Sequence, residues 1–132
     1  MGPVLSVPRL SVLLLAASTA LSAQISVPAL SPAELARILK SGKWTVIEFG
    51  GPTCVPCRKM QPILAELQQK FGDRVQIRNF YVTEFPREAQ AHRIMAMPTQ
   101  VVFDPSGKEV ARHIGFWEKG EFLTALAQAS IQ

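Results

Sequence analysis

The chain has 132 residues, enough for one compact domain and too few for two. Apolar residues make up 48% of it and charged residues 18%, a balance that fits a folded core and excludes a disordered chain. The net charge of +4 is scattered, with no basic run longer than Arg58-Lys59; nucleic acid is not expected as a partner, because it would call for a clustered basic face.

Residues 1–23 stand apart. They hold one of the 14 basic residues, Arg9, and none of the 10 acidic ones, so the remainder carries 13 basic against 10 acidic side chains. A charged lead, an apolar stretch from Leu10 to Leu21 and a small-residue exit describe a secretory signal peptide. The apolar part is about a dozen residues, short of the roughly 20 that span a bilayer as a helix. Cleavage after Ser22 places Ala20 three positions before the cut, whereas cleavage after Ala23 places Leu21 there. The folded part is therefore expected in the periplasm or another extracytoplasmic space, where disulfides persist, and tethered to the membrane if the segment is retained.

Residues 24–30 read as a linker, and residues 31–132 as the folded domain. In "SPAELARILKSG", Ser31 caps a helix, Pro32 suits its first turn, Glu34 completes a capping box and Gly42 ends it. "WTVIEF", Trp44 to Phe49, is a nearly unbroken apolar, β-branched run that fits a strand buried on both faces. Gly50, Gly51 and Pro52 break it. A helix is expected from Cys54 to about Phe71, with Met60, Ile63, Leu64 and Leu67 inward and a kink at Pro62.

"VQIRNFYV", Val75 to Val82, reads as a second strand, and a short helix is expected from about Pro86, with His92 on its exposed side. Two further apolar runs flank Asp104-Pro105-Ser106-Gly107, whose composition suits a hairpin turn. A last helix, about Glu118 to Ile131, directs Phe122, Leu123, Leu126 and Ala127 to one side. The order α-β-α-β-α-β-β-α predicts an α/β fold with a central mixed β-sheet flanked by helices. Trp44, Trp117 and His113 read as packing residues.

The only two cysteines, Cys54 and Cys57, form a C-x-x-C at the start of a helix directly after the buried strand. A helix N-terminus offers unpaired N–H groups and partial positive charge, both of which favour a thiolate. Cys54, nearer the loop, would attack a substrate disulfide, and Cys57, more enclosed, would attack the resulting mixed disulfide and release the product. Two other readings stand beside this one. A structural zinc site wants four ligands, and His92 and His113 form no second close pair, so no metal is expected. An inert local disulfide closes so small a loop that it would stabilise only weakly.

The layout "EFGGPTCVPCRKM", the helix with Pro62 and the later "MPT" resembles the thioredoxin family over about Ser31 to Ile131. The resemblance implies a thioredoxin fold with Cys54 and Cys57 as catalytic pair and their disulfide in place of a cofactor. It implies a cis bond before Pro98 in Met97-Pro98-Thr99, beside the catalytic sulfurs, where Met97 would pair with an incoming peptide strand. Gly115 matches a family glycine near the substrate groove. Glu48 occupies the position of a buried aspartate beneath the second cysteine; desolvation would raise its pKa and let it take a proton from Cys57. The bland alternative has Glu48 facing solvent at a strand margin.

The sequence departs from the family pattern at Thr53, where tryptophan is usual, and at Val55-Pro56 in place of Gly-Pro. Asn79 stands where the family places a lysine against the buried acid, with Arg78 beside it. These changes bear on redox potential and client range and leave the exchange chemistry in place.

"CVPC" and "GKEVARHIGF" look most like exported reductive members, monomers that take electrons from a membrane thiol–disulfide transporter and pass them to cysteines of client proteins. A thiol oxidant or isomerase of the same fold, or a binding module with a permanently oxidised pair, are the competing expectations.

Overall fold

A strand that is apolar on both faces has to be covered on both, and the computed structural model, which describes residues 2–3 and 25–132, builds the domain around this requirement. The expected signal peptide lies outside the described residues apart from Gly2 and Pro3. Strand β1, Trp44–Gly50, is buried at every residue after Trp44. It pairs in parallel with β2, Val75–Tyr81, and antiparallel with β3, Thr99–Phe103; β3 pairs antiparallel with β4, Glu109–Ile114. The sheet order is β2-β1-β3-β4. Among the described residues, four α-helices surround it: α1 Pro32–Ile38, α2 Val55–Phe71, α3 Pro86–Ala91 and α4 Lys119–Gln128.

Side-chain alternation along β1 divides the core in two. Val46 packs with Met60, Leu64, Leu67 and Phe71 of α2 and with Phe122 and Leu126 of α4. Ile47 and Phe49 point to the opposite face and pack with Leu35 and Ile38 of α1, Phe80, Val101 and Phe103. The capping box of α1 is present, with Ser31 N donating to Glu34 Oε2 at 2.8 Å and Glu34 N to Ser31 Oγ at 3.4 Å. Pro62 lies inside α2, which runs through it without a break; Arg58, which loses its i+4 donor, is exposed to water.

The β3–β4 turn is organised by Asp104, whose Oδ1 accepts from Ser106 N at 2.9 Å and Lys108 N at 3.0 Å. Gly107 has φ +82°, a left-handed conformation suited to glycine. Helix α4 ends at Gln128 because Ser130 turns left-handed, φ +72°, and Ile131 folds back to bond Leu126 O and enter the core.

Residues 25–30, expected as a linker, are mostly exposed but tied to the domain. Val27 is buried, Ala29 forms a parallel bridge to Asn79, and Pro28 O and Leu30 N bond the Asn79 backbone at 2.8 and 2.9 Å.

Candidate active site

Helix α2 starts where β1 stops, so its N-terminus opens at the carboxyl end of a central strand. Cys54 is the N-cap, and its Sγ accepts from Cys57 N at 3.3 Å. Pro56 falls in the first turn, where the missing N–H costs nothing. Cys54 and Cys57 are joined as a disulfide, with Cα atoms 5.2 Å apart. Cys54 is half-buried, whereas Cys57 is 2% exposed. An external sulfur can therefore reach Cys54 and not Cys57. Gly50 makes room for the inner sulfur: a Cβ there would stand 2.9 Å from Cys57 Sγ and 3.7 Å from Glu48 Cγ.

The structure brings the distant motif residues to this mouth. The Met97–Pro98 bond is cis. Pro98 and Thr99 are buried, Thr99 Oγ1 donates to Ala96 O at 2.8 Å, and Gly115 N donates to Pro98 O at 2.8 Å. Gly115 has φ +95° with no atom within 4 Å of an added Cβ, so its backbone faces open space. Met97 Sδ lies 3.6 Å from where a Gly51 side chain would begin, which sets Met97 against the loop that carries the cysteines. Met97 also lines an apolar groove of about 600 Å³ with Val82, Pro86, Ala89, Ile94 and Met95.

Glu48 is 1% exposed, which removes the solvent-facing alternative. It belongs to a row of register partners crossing all four strands, Asn79–Glu48–Gln100–His113, on the face covered by α2 and α4. Gln100 Nε2 donates to Glu48 Oε2 at 2.9 Å, and Glu48 Oε1 has no partner among the described residues. Burial pushes the Glu48 carboxyl up to about 8, and the Gln100 hydrogen bond opposes that rise.

Asn79 does not take up the role of a partner to the acid. Its side chain pairs reciprocally with Gln61, Nδ2 to Oε1 at 2.8 Å and Oδ1 from Nε2 at 3.0 Å, and also donates to Val27 O at 2.8 Å. Gln61 in turn donates to Cys57 O at 3.3 Å, so the network ties the helix below the buried cysteine to the chain's N-terminal segment. Sequence reasoning missed Gln61 and Gln100. Two signals were present, a glutamine one turn after Cys57 and another two residues after Pro98.

His92, expected to be exposed, is half-buried against Phe49 with ring centroids 5.3 Å apart; it caps the C-terminus of α3, and the helix end turns it inward. Burial lowers its pKa. Trp117 is buried between His113 and Phe122, stacked at 4.5 and 4.1 Å.

A family model described as Thioredoxin matches residues 26–128. The chain is 31% identical over 94 residues to a thioredoxin of Acidithiobacillus ferridurans, covering 71% of this chain and 85% of that protein. It is 30% identical over 98 residues to a thioredoxin of Alicyclobacillus acidocaldarius subsp. acidocaldarius, covering 74% and 92%. Among solved structures, the oxidized form of mitochondrial thioredoxin 3 from Saccharomyces cerevisiae superposes with a TM-score of 0.69 at 27% identity, over 77% of this chain and 94% of that one.

Proposed function

The chain belongs to the thioredoxin family, a thiol–disulfide oxidoreductase with Cys54 and Cys57 as its pair, and from that premise we propose that it is an extracytoplasmic reductant of protein disulfides. The observation that carries the chemistry is the asymmetry of the pair: an accessible cysteine at a helix N-cap, and an enclosed one against a buried acid.

The Cys54 thiolate attacks one sulfur of a client disulfide, held along Met97 and Gly115 with an apolar side chain in the neighbouring groove. The client's other sulfur leaves as a thiolate and takes a proton from water. Cys57 then gives its proton to the Glu48 carboxylate, attacks the Cys54 sulfur and expels the second client thiolate. The client gains two electrons, and the protein ends in the disulfide form. With its pKa raised to about 8, Glu48 holds a proton at neutral pH that it returns to Cys57 when a donor dithiol opens the disulfide.

The reductive direction is supported by the likeness of "CVPC" and "GKEVARHIGF" to exported reductants. The β2–β3 connection also holds only the six-residue α3, with no inserted helical domain of the kind that dedicated oxidases carry. The signal-like residues 1–23 support export, and a membrane thiol–disulfide transporter is the electron donor that such a location requires.

The test is the potential of the Cys54–Cys57 pair, read by equilibration against dithiothreitol and glutathione buffers. A value near about −270 mV is expected, and one near about −120 mV would make the protein an oxidant. Sequencing the N-terminus of exported protein is expected to find Ala23 or Gln24 first; an intact leader on cytoplasmic protein would refute the location.

A further inference from the structure

Glu48 and Gln100 lie opposite each other on β1 and β3, 1% and 0% exposed. Among the described residues, the Gln100 amide nitrogen makes the one hydrogen bond that the Glu48 carboxyl has, 2.9 Å to Oε2. Glu48 Oε1 is left bare, and so is Gln100 Oε1, so the amide is engaged through its nitrogen alone.

The other elements packed on this side supply nothing that competes. From α2, the residues against the sheet are Cys57, Met60, Gln61 and Leu64, and Gln61 is committed to Asn79 and the Cys57 carbonyl. From β2, Asn79 is committed to Gln61 and Val27. From α4 come Phe122 and Leu126. On β4, His113 is two strands from Glu48, with Nε2 at 3.1 Å from Phe116 O. Among the described residues, Cys57, which bears a thiol once the disulfide is opened, shares with Glu48 the space beside Gly50.

We propose that Gln100 is a positioning residue for the exchange reaction: by tying Oε2 it fixes the rotation of the Glu48 carboxyl and leaves Oε1 as the oxygen that takes the Cys57 proton. This rests on the reading of Glu48 as the proton acceptor in the resolving step. The physical basis is the state dependence of one hydrogen bond. An N–H donated to a carboxylate is roughly twice as strong as the same N–H donated to a neutral acid, so Gln100 favours the charged form in a place where burial opposes it. A buried carboxyl without it would remain protonated to higher pH and would turn freely about its last torsion.

The full chain is titrated in the disulfide form with 13C-labelled glutamate, following the Glu48 carboxyl carbon, for the wild type, Q100M and Q100L. Both variants keep an apolar side chain of similar volume and remove the donor, and amide spectra identify which of them fold. The midpoint is expected to move up by about one pH unit. The reduced proteins are then mixed with an aromatic disulfide that releases thionitrobenzoate in two phases, the second being attack by Cys57. The pH midpoint of that phase is expected to move with the carboxyl, and the effect of Q100M to vanish in an E48Q background. An unchanged or lowered carboxyl midpoint in a folded variant overturns the role of Gln100. A second phase that E48Q itself leaves unaltered overturns the proton-acceptor reading instead.

Discussion

Gly50 and Cys57 share one small volume: the last residue of β1 has no side chain where the inner sulfur sits. A methyl at Gly50 would meet Cys57 Sγ at 2.9 Å, closer than real Cβ contacts, and its Cβ at a tight 3.3 Å. The obstruction is a disulfide-bonded side chain at a helix start, which cannot swing aside. Gly50→Ala is expected to cost about 1–3 kcal/mol in urea unfolding of the oxidised protein, the range for overpacking a well-filled site. It is also expected to slow the second phase of thiol exchange. Wild-type values in both measurements would show that the helix start yields more easily than its packing indicates.

Glu48 makes stability depend on pH in a direction opposite to an ordinary ion-paired carboxylate. Its folded pKa, about 8, is raised above the ordinary value of 4.5, so between these limits the native state binds more protons than the unfolded chain. Its contribution is fully present below pH 4.5 and is lost as pH rises through about 8. Glu48→Gln is expected to remove that slope and to gain on the wild type above pH 8, with a difference on the order of 5 kcal/mol across the window. Urea unfolding of the oxidised proteins at pH 5, 7 and 9 is the check; parallel curves would rule out the raised pKa.

Asn79 joins three pieces of chain. Asn79→Ala removes the donor to Val27 O and both bonds to Gln61, which keeps Val27 N and Cys57 O as partners, and is expected to destabilise the domain by about 1–3 kcal/mol. Hydrogen exchange separates this from a diffuse effect. The Leu30 amide, bonded to Asn79 O at 2.9 Å, is expected to exchange faster relative to amides of β3.

Gly107 is constrained twice. It has φ +82°, and a Cβ would stand 2.5 Å from the Leu39 carbonyl oxygen. Gly107→Ala is expected to cost about 2 kcal/mol or more, by left-handed strain together with the displacement of the end of α1. Thermal unfolding measures it, and redox potential is expected to stay at its wild-type value because the turn is remote from the cysteines.

What could be read from the sequence was mostly local. The capping box of Ser31 and Glu34, the apolar run of β1, the Asp104–Gly107 turn and the spacing of Cys54 and Cys57 each lie within a few residues, where chain geometry leaves few choices. The cis bond at Pro98 followed from family resemblance and not from local chemistry. The partners of the acid were hidden because they depend on register: Gln100 reaches Glu48 across 52 positions of sequence, and only the β1–β3 pairing sets them opposite. Asn79 was placed correctly beside Glu48, but its bonds to Gln61 and Val27 had no signal in the sequence, since they join residues 18 and 52 positions away. Residues 24–30 read as a linker because a single bridge has no period to detect.

That bridge also covers part of one edge of the sheet. An open sheet has two outer strands, here β2 and β4. β4 carries Glu109, Arg112 and His113, the kind of charged edge that discourages pairing with another chain. β2, "VQIRNFY", is richer in β-forming residues, and the outward N–H and C=O of Asn79 are taken by Pro28 O and Leu30 N. Peeling residues 25–30 away would bare a template for intermolecular strand addition while leaving the cysteines untouched. A protein could then lose its solubility before losing its chemistry, and residues 25–30 are what keep those two failures apart.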